Sequence, residues 1–280
     1  MWNALIVVWR ESLEAMLVVG VLLSWIARQG DPAPLRRGLW AGVATGLALA
    51  GALAYAAFAA QDEFAGAALE RFQLAMVLAA AALILHMVLW MHEHGRTLKR
   101  ELERQAAQAA ARAGLGALAS IAAVAALAVA REGGETVVFL YGLAMDDTPG
   151  ATTRLISGAA GGLALAAATA WIVARSAKHL NMRVLFRVSE YLLLLIGTSL
   201  LVAGVDKMIG LDWLPALADP LWDTAAILPD NQGVGRFLVD FVGYRARPAA
   251  TVVIAIVLFW SYALWRMARI DRAAAAGARP

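Results

Sequence analysis

Long apolar stretches alternate with short polar segments along the whole chain. Seven of these stretches have the length, about 20 residues, that crosses a hydrocarbon core of about 30 Å as a helix. Their apolar residues are continuous and do not alternate with period two, which favours helices over barrel strands. The predicted spans are 3–27, 38–60, 71–91, 116–145, 154–174, 188–208 and 249–267. The pattern predicts an all-α polytopic membrane protein in which residues 1–280 form a single transmembrane domain.

Composition agrees with this interpretation. Hydrophobic residues make up 61% of the chain and charged residues 16%, against about 45–50% and about 25% in soluble domains. The mean hydropathy is +0.67. The chain has no cysteine, which excludes disulfides, thiolate metal sites and cysteine nucleophiles. The net charge is +3, and most of the basic residues lie in a few loops. We attribute them to membrane topology and expect no nucleic acid partner.

The charges of the loops predict the orientation of the chain. Arginine-rich segments follow spans 1, 3, 5 and 7, and the other loops are acidic. By the positive-inside rule, the N-terminus is outside and the C-terminus cytoplasmic. Segment 94–115, rich in Glu, Arg, Gln and Ala, is predicted to be a cytoplasmic helical extension of span 3. Segment 209–248 is a long extracytoplasmic loop, of a length that often carries function or structure of its own.

Two spans contain charged residues that are costly to place in the hydrocarbon core of a bilayer. Span 1 holds Arg10-Glu11-Ser12-Leu13-Glu14 and span 4 holds Arg131-Glu132-Gly133-Gly134-Glu135, which are two R-E-x-x-E motifs 121 positions apart. A charge at a helix centre costs about 2.5–3.5 kcal/mol on insertion scales, so six unpaired charges cost on the order of 15 kcal/mol. These groups must therefore meet one another, water or a ligand.

Helical spacing places the two glutamates of each motif on one face. Spans 1 and 4 run antiparallel, so spans 1–3 and 4–6 are predicted to form an inverted repeat, with span 7 left over. In many transporters such a repeat places the substrate site near the midplane. Four converging carboxylates, Glu11, Glu14, Glu132 and Glu135, would bind a hard cation. Arg10 and Arg131 would supply supporting charge, and the empty site would hold protons that a multivalent cation displaces.

A purely structural interpretation is also open. Arginine and the second glutamate of each motif are four residues apart, so each motif could be an internal salt bridge that clamps two helices. Two copies at inverted positions, each with a surplus carboxylate, favour the cation site. Candidate entry or exit residues are Asp146, Asp147, Asp223 and His86. The GxxxG pairs Gly42/Gly46 and Gly158/Gly162 are expected to serve close helix packing.

R-E-x-x-E in spans 1 and 4 of a seven-span protein resembles the oxidase-dependent iron permease family of fungi and bacteria, of which this chain looks like a bacterial member. Leu221-Trp222-Asp223-Thr224 and Val242-Gly243-Tyr244-Arg245-Ala246-Arg247-Pro248 resemble that family's long outer loop. The usual motif is R-E-G-L-E; Ser12 replaces Gly in the first copy and Gly134 replaces Leu in the second. The resemblance implies inward transport of iron across the cell inner (plasma) membrane, with ferric iron as the cargo and the four glutamates contacting the ion.

The resemblance also implies a periplasmic iron-binding protein or an oxidase as partner, besides membrane lipids. Iron is expected as transported substrate, with no permanently bound cofactor. Two alternatives stay open: a membrane-embedded redox enzyme or electron-transfer subunit, and a permease for another hard or heavy divalent cation. The enzyme is disfavoured because HExxH is absent and neither glutamate pair has the histidine of a di-iron ExxH site.

Overall fold

The computed structural model describes residues 1–29, 32–95, 98–110, 115–144, 150–175 and 182–277, and most of them are helical. The helices of these residues are α1 (Trp2–Ile26), α2 (Pro32–Glu63), α3 (Ala67–His94), α4 (Leu98–Ala110), α5 (Leu115–Leu143), α6 (Ala151–Arg175), α7 (Met182–Gly210), α8 (Gly233–Val242) and α9 (Ala250–Gly277). The predicted all-α class is confirmed.

Six of the described helices, namely α2, α3, α5, α6, α7 and α9, are long and apolar enough to cross a membrane. The chain is thus a multi-pass membrane protein by the length and composition of its helices. Helix α1 is 25 residues long, and its charges, Arg10, Glu11 and Glu14, interrupt its apolar sequence in the first half, whereas the same motif in α5 follows an uncharged stretch, 115–130. Its crossing of the membrane remains a prediction.

The chain divides into two compact units. The first contains α1, α2, α4, α5 and α6, and the second contains α3, α7, α8 and α9. Both R-E-x-x-E motifs therefore lie in the first unit.

Glycines bring the helices of the first unit into close contact. In α2, a Cβ on Gly42 would lie 2.3 Å from the carbonyl oxygen of Ala122 in α5, and one on Gly46 would lie 2.8 Å from that of Ala126. Any side chain there would force the two backbones apart, so the predicted close packing of this GxxxG pair is confirmed.

The second GxxxG pair makes the same contacts with α1. A Cβ on Gly158 would lie 2.4 Å from the carbonyl oxygen of Met1, and one on Gly162 would lie 2.4 Å from that of Leu5. The indole Nε1 of Trp9 in α1 also donates to Thr169 Oγ1 of α6 at 3.2 Å. Helix α6 thus covers α1 as α2 covers α5.

The sequence predicted that segment 94–115 would extend span 3 as one helix. The structure has a separate helix there, α4. Helix α3 ends at His94, and the separate helix α4 packs on α5. Leu102 and Ala106 are buried in a cluster with Leu22 and Ile121. The apolar side of this otherwise charged helix explains the difference, because it is buried against the first unit and not extended into solvent.

In the second unit, α3 packs on α7 and α9. Polar side chains join these helices near both ends of the α3–α7 pair. Lys207 Nζ donates to Gln73 Oε1 at 2.5 Å, and His92 Nδ1 lies 3.2 Å from Glu190 Oε2. The other ring nitrogen of His92 lies 3.2 Å from Asp271 Oδ1 of α9.

The long segment between α7 and α9 folds back on itself and contains α8. The backbone N–H of Leu221 donates to the carbonyl oxygen of Pro248 at 2.8 Å, and that of Thr224 to Ala246 at 3.0 Å. The hydroxyl of Tyr244 donates to the carbonyl oxygen of Leu228 at 3.0 Å and pairs with Thr224 Oγ1 at 2.5 Å. Segments 221–224 and 242–248, which the sequence analysis singled out, are therefore hydrogen-bonded to each other and close the loop.

Candidate metal centre

Helix α1 presents one arginine between two glutamates. Arg10 Nη1 lies 2.9 Å from Glu11 Oε1, and Nη2 lies 2.7 Å from Glu14 Oε1. All three side chains are buried. One guanidinium serves two carboxylates, so this half of the site carries one more negative charge than positive when both glutamates are ionised.

Helix α5 repeats the arrangement in a looser form. Arg131 Nε lies 3.0 Å from Glu135 Oε1 and 3.9 Å from Glu132 Oε1. Glu132 is buried and Glu135 half-buried, whereas the side chain of Arg131 is exposed. The hydroxyl of Thr136 donates to the carbonyl oxygen of Glu132 at 2.8 Å.

Three of the four predicted glutamates converge. Glu11, Glu132 and Glu135 each offer one carboxylate oxygen, and these oxygens all lie within 4.8 Å of one another. Hard cations hold oxygen ligands at roughly 2.0–2.6 Å, so two ligands of one ion lie at most about 5 Å apart. The three carboxylates are therefore close enough to ligate one ion together.

Glu14 stands beside this trio and is bound by Arg10. It interacts electrostatically with Glu132 and with Arg131 across the two helices. The structure thus brings Glu14 near the α5 motif without placing an oxygen in the three-carboxylate group.

One carboxylate oxygen of each glutamate in the trio is buried without a hydrogen-bond partner among the described residues. Oε2 of Glu11, of Glu132 and of Glu135 are buried and accept no hydrogen bond from the described residues. An unsatisfied buried polar atom costs about 1–3 kcal/mol, and more when it is charged. A proton, water or a cation would relieve this cost, and the oxygen-only donor set favours hard cations.

The glycine that follows Glu132 is explained by packing. A Cβ on Gly133 would lie 2.5 Å from the Cβ of Ala50 in α2, whereas one on Gly134 would make an ordinary contact of 3.5 Å with Leu53. Gly133 therefore lets α2 approach α5 directly at the motif.

A family model described as the iron permease FTR1 family matches residues 1–270 of the chain. The chain belongs to this family. Iron is the substrate that the family transports, and the predictions of a permease and of a transporter in place of an enzyme are confirmed.

Relatives of this iron permease family match along most of the chain. Ferrous iron permease EfeU of Shigella sonnei and that of Escherichia coli O157:H7 are each 27% identical over 284 residues, covering 100% of this chain and 99% of theirs. Ferrous iron permease EfeU of Yersinia pestis is 24% identical over 260 residues, covering 92% of this chain and 90% of its own. No solved structure matches the chain.

Of the four candidate entry and exit residues, two lie in the second unit and two fall outside the described residues. Asp146 and Asp147 fall in segment 145–149, outside the described part of the chain. His86 is exposed on α3, in the second unit. Asp223, also in the second unit, is exposed and paired with Arg247 at 2.9 Å. A backbone hydrogen bond from Ala225 and the Arg247 guanidinium hold the pKa of Asp223 below its usual range.

The sequence indicated that Glu190 would be interfacial or paired, but it did not link Glu190 to His92 and Asp271, with which it forms a polar cluster that joins three helices. Its members are 98 and 179 positions apart, and no spacing rule links such residues. Sequence reasoning also missed Tyr141, which is buried in α5 with its ring centroid 5.8 Å from that of Phe58. The sequence around the cluster residues and around Tyr141 is typical of ordinary membrane-spanning helices.

Proposed function

We propose that the chain carries iron inward across the cell inner membrane through the carboxylates of its two R-E-x-x-E motifs. The convergence of Glu11, Glu132 and Glu135, with their oxygens within 4.8 Å of one another, is the single observation that carries the proposal. Two separate helices supply these ligands, so motion of one helix against the other would open or close the coordination shell. Iron is bound as passing cargo, and no resident cofactor is required.

An inverted repeat of spans 1–3 and 4–6 underlies this site, with α1 as the first of seven spans. The contacts of the glycine helices support it. Gly42 and Gly46 contact 122, 125, 126, 129 and 130 of α5, while Gly158 and Gly162 contact 1, 4, 5, 8 and 9 of α1. Each α1 position differs from its α5 counterpart by 121, the separation of the two motifs, and the glycine pairs differ by 116.

The polar pairs of the second unit support the same repeat. Gln73 pairs with Lys207, and Glu190 pairs with His92. Gln73 of α3 corresponds to Glu190 of α7, and His92 of α3 corresponds to Lys207 of α7, at separations of 117 and 115 positions. The N-terminus lies outside and the C-terminus in the cytoplasm, according to the distribution of arginine in the loops.

Glu14 becomes the fourth ligand when it exchanges its contact with Arg10 for a contact with the ion. In the resting site it is bound to Arg10, and an arriving cation competes with the guanidinium for it. The arginines balance part of the negative charge before the ion arrives, and protons on the carboxylates balance more. Binding a multivalent ion then releases protons, since only the deprotonated carboxylates are ligands.

The oxidation state of the cargo has two candidates. Oxygen-only coordination by carboxylates suits ferric iron, the harder ion, and we favour it. Delivery of ferric iron would require an oxidase or a periplasmic iron-binding protein, because free ferric ion does not stay in solution. Ferrous iron is the second candidate because the relatives from Shigella, Escherichia and Yersinia are named ferrous iron permeases.

Radiolabelled iron uptake into proteoliposomes tests the proposal. The wild type is compared with Glu11→Gln and Glu132→Gln, each of which keeps the side-chain shape and removes a charge. Glu70→Gln, exposed in the first turn of α3, is the matched control. Each site variant is expected to lower uptake by about tenfold or more, and the control to leave it unchanged.

Ferric citrate and ferrous iron are supplied in parallel. Faster uptake of one form identifies the cargo. Wild-type uptake by folded Glu11→Gln and Glu132→Gln proteins would contradict the site, and it would favour the interpretation that the motifs only hold the helices together.

A further inference from the structure

The two motifs are equivalent in sequence but unequal in exposure. The arginine side chain is 42% exposed at position 131 and 2% at position 10. The first glutamate is 9% exposed in the α5 motif and 0% in the α1 motif, and the second glutamate is 15% against 7%. At each charged position the α5 motif is the more open one.

The packing around the motif helices does not share this inequality. Gly46 and Gly162 meet the same three backbone and side-chain atoms at counterpart positions of α5 and α1. The glycine contacts are therefore alike in both halves, and the difference in exposure arises elsewhere on the motif helices.

One exposed face of α5 leads to the open motif. It consists of Ala119, Ala123 and Leu127, spaced by four residues and followed by Arg131 in the same register; we call it the Leu127 face. On α1 the counterpart of Leu127 is Ile6, which is partly covered. A lipid-facing arginine at mid-helix is costly, and intramembrane charges almost always face the protein interior or water. We therefore expect water to reach the end of the Leu127 face that adjoins Arg131.

We propose that the glutamate cluster is reached by water and ions from one side only, past Arg131 and along the Leu127 face, and that it is closed at Arg10. This inference rests on the proposed function, for which it names the route. Since the Leu127 face begins at the α4 end of α5, the open side is the one that bears α4. In an alternating carrier, the opposite state has the roles of the two repeats exchanged. In that state the site would be open at Arg10 and closed at Arg131.

Thiol labelling tests the route, and the chain offers a clean background because it has no cysteine. Leu127→Cys and Ile6→Cys probe the two counterpart positions. Leu47→Cys is the matched control, since Leu47 is an exposed leucine of α2 in a stretch, 38–61, without charged residues. Each protein is treated in vesicles of known orientation with a charged, membrane-impermeant thiosulfonate, which modifies only thiols that ionise in water.

The expected result is that Cys replacing Leu127 reacts about tenfold faster or more than Cys replacing Leu47 or Ile6, from the α4 side alone. Attachment of the reagent at position 127 should also lower iron uptake, and attachment at position 47 should not. Labelling of Leu127→Cys no faster than Leu47→Cys, or labelling from both sides, overturns the route. Equal labelling of Ile6→Cys and Leu127→Cys overturns the closure at Arg10.

Iron uptake by the unmodified wild type separates this inference from the function it rests on. Rapid one-sided labelling at position 127 together with absent iron uptake would retain the route and contradict the cargo. Iron uptake with no preferential labelling would retain the cargo and contradict the route. A monodisperse size-exclusion profile in detergent, like that of the wild type, shows that each cysteine variant is folded.

Discussion

Arg10 Nη2 lies 2.7 Å from Glu14 Oε1, one helical turn further along α1, and both side chains are buried. Arg131 and Glu135 repeat this spacing in α5, but there the arginine is exposed. The two pairs have the same chemistry in different surroundings, and their removal should therefore have different consequences.

Arg10→Met should destabilise the protein far more than Arg131→Met. Without Arg10, two carboxylates are left buried, and breaking a buried ion pair from one side costs about 3–5 kcal/mol. Arg131 is exposed and Glu135 half-buried, and an exposed pair is worth about 0–1 kcal/mol, so the loss of Arg131 should cost less than that of Arg10. Thermal unfolding in detergent measures the difference. The double variant Arg10→Met, Glu14→Gln should recover part of the loss, and equal unfolding temperatures of the two single variants would contradict the prediction.

Gly42→Ala and Gly162→Ala should each destabilise the first unit. A Cβ at these positions would lie 2.3 Å and 2.4 Å from a backbone carbonyl oxygen, so two helices must separate. Overpacking of this kind costs about 1–3 kcal/mol. Gly51→Ala, in the same helix as Gly42, meets nothing within 4 Å and serves as control. A loss of stability in the control equal to that of Gly42→Ala would refute the packing argument.

Tyr244→Phe should loosen the closure of the long loop. It removes the hydroxyl that bonds to Leu228 and Thr224, a loss of about 1 kcal/mol for a typical hydrogen bond. Hydrogen exchange of residues 221–228 measures the effect, which should be local. Tyr262→Phe, exposed on α9, should leave that exchange unchanged. Exchange across the whole second unit would point to a wider role for Tyr244.

Acid should release the contact between Asp223 and Arg247. The pKa of Asp223 is lowered in the folded loop by the Ala225 amide and by Arg247, so this carboxylate stabilises the loop at pH values above its unfolded pKa of about 3.9. The contribution is lost as the pH falls through the lowered folded value. The carboxyl carbon resonance of Asp223, assigned with Asp223→Asn, measures it. A midpoint at or above the ordinary value would contradict this sign.

The fold was largely predictable because its periodicity and span lengths are local properties. The predicted span 71–91 lies within α3, Ala67–His94, and 154–174 lies within α6, Ala151–Arg175. Segment 94–115 was predicted to be helical, but as an extension of span 3 and not as the separate helix α4, because its charged surface hides the two residues, Leu102 and Ala106, that anchor it.

The candidate site was predictable as a set of residues but not in its geometry. Spacing places Glu11 and Glu14 on one face, yet Arg10 holds Glu14 beside the three-carboxylate group. Which oxygen an arginine binds depends on three-dimensional contacts between α1 and α5. The same reason hides the partners of His92, which come from two distant helices.

Helix α2 covers the motif helix of the second half of the chain, and α6 covers that of the first. Each half thus supplies the glycine helix that packs on the motif helix of the other half, so a protein of half this length with the same surfaces would lack that contact as a monomer. With the inverted repeat proposed above, it would gain that contact only as two copies inserted in opposite directions, each shielding the other. Joining the two halves in one chain would make that exchange obligatory, and it would let the two arginines diverge, one buried and one exposed, as identical copies could not.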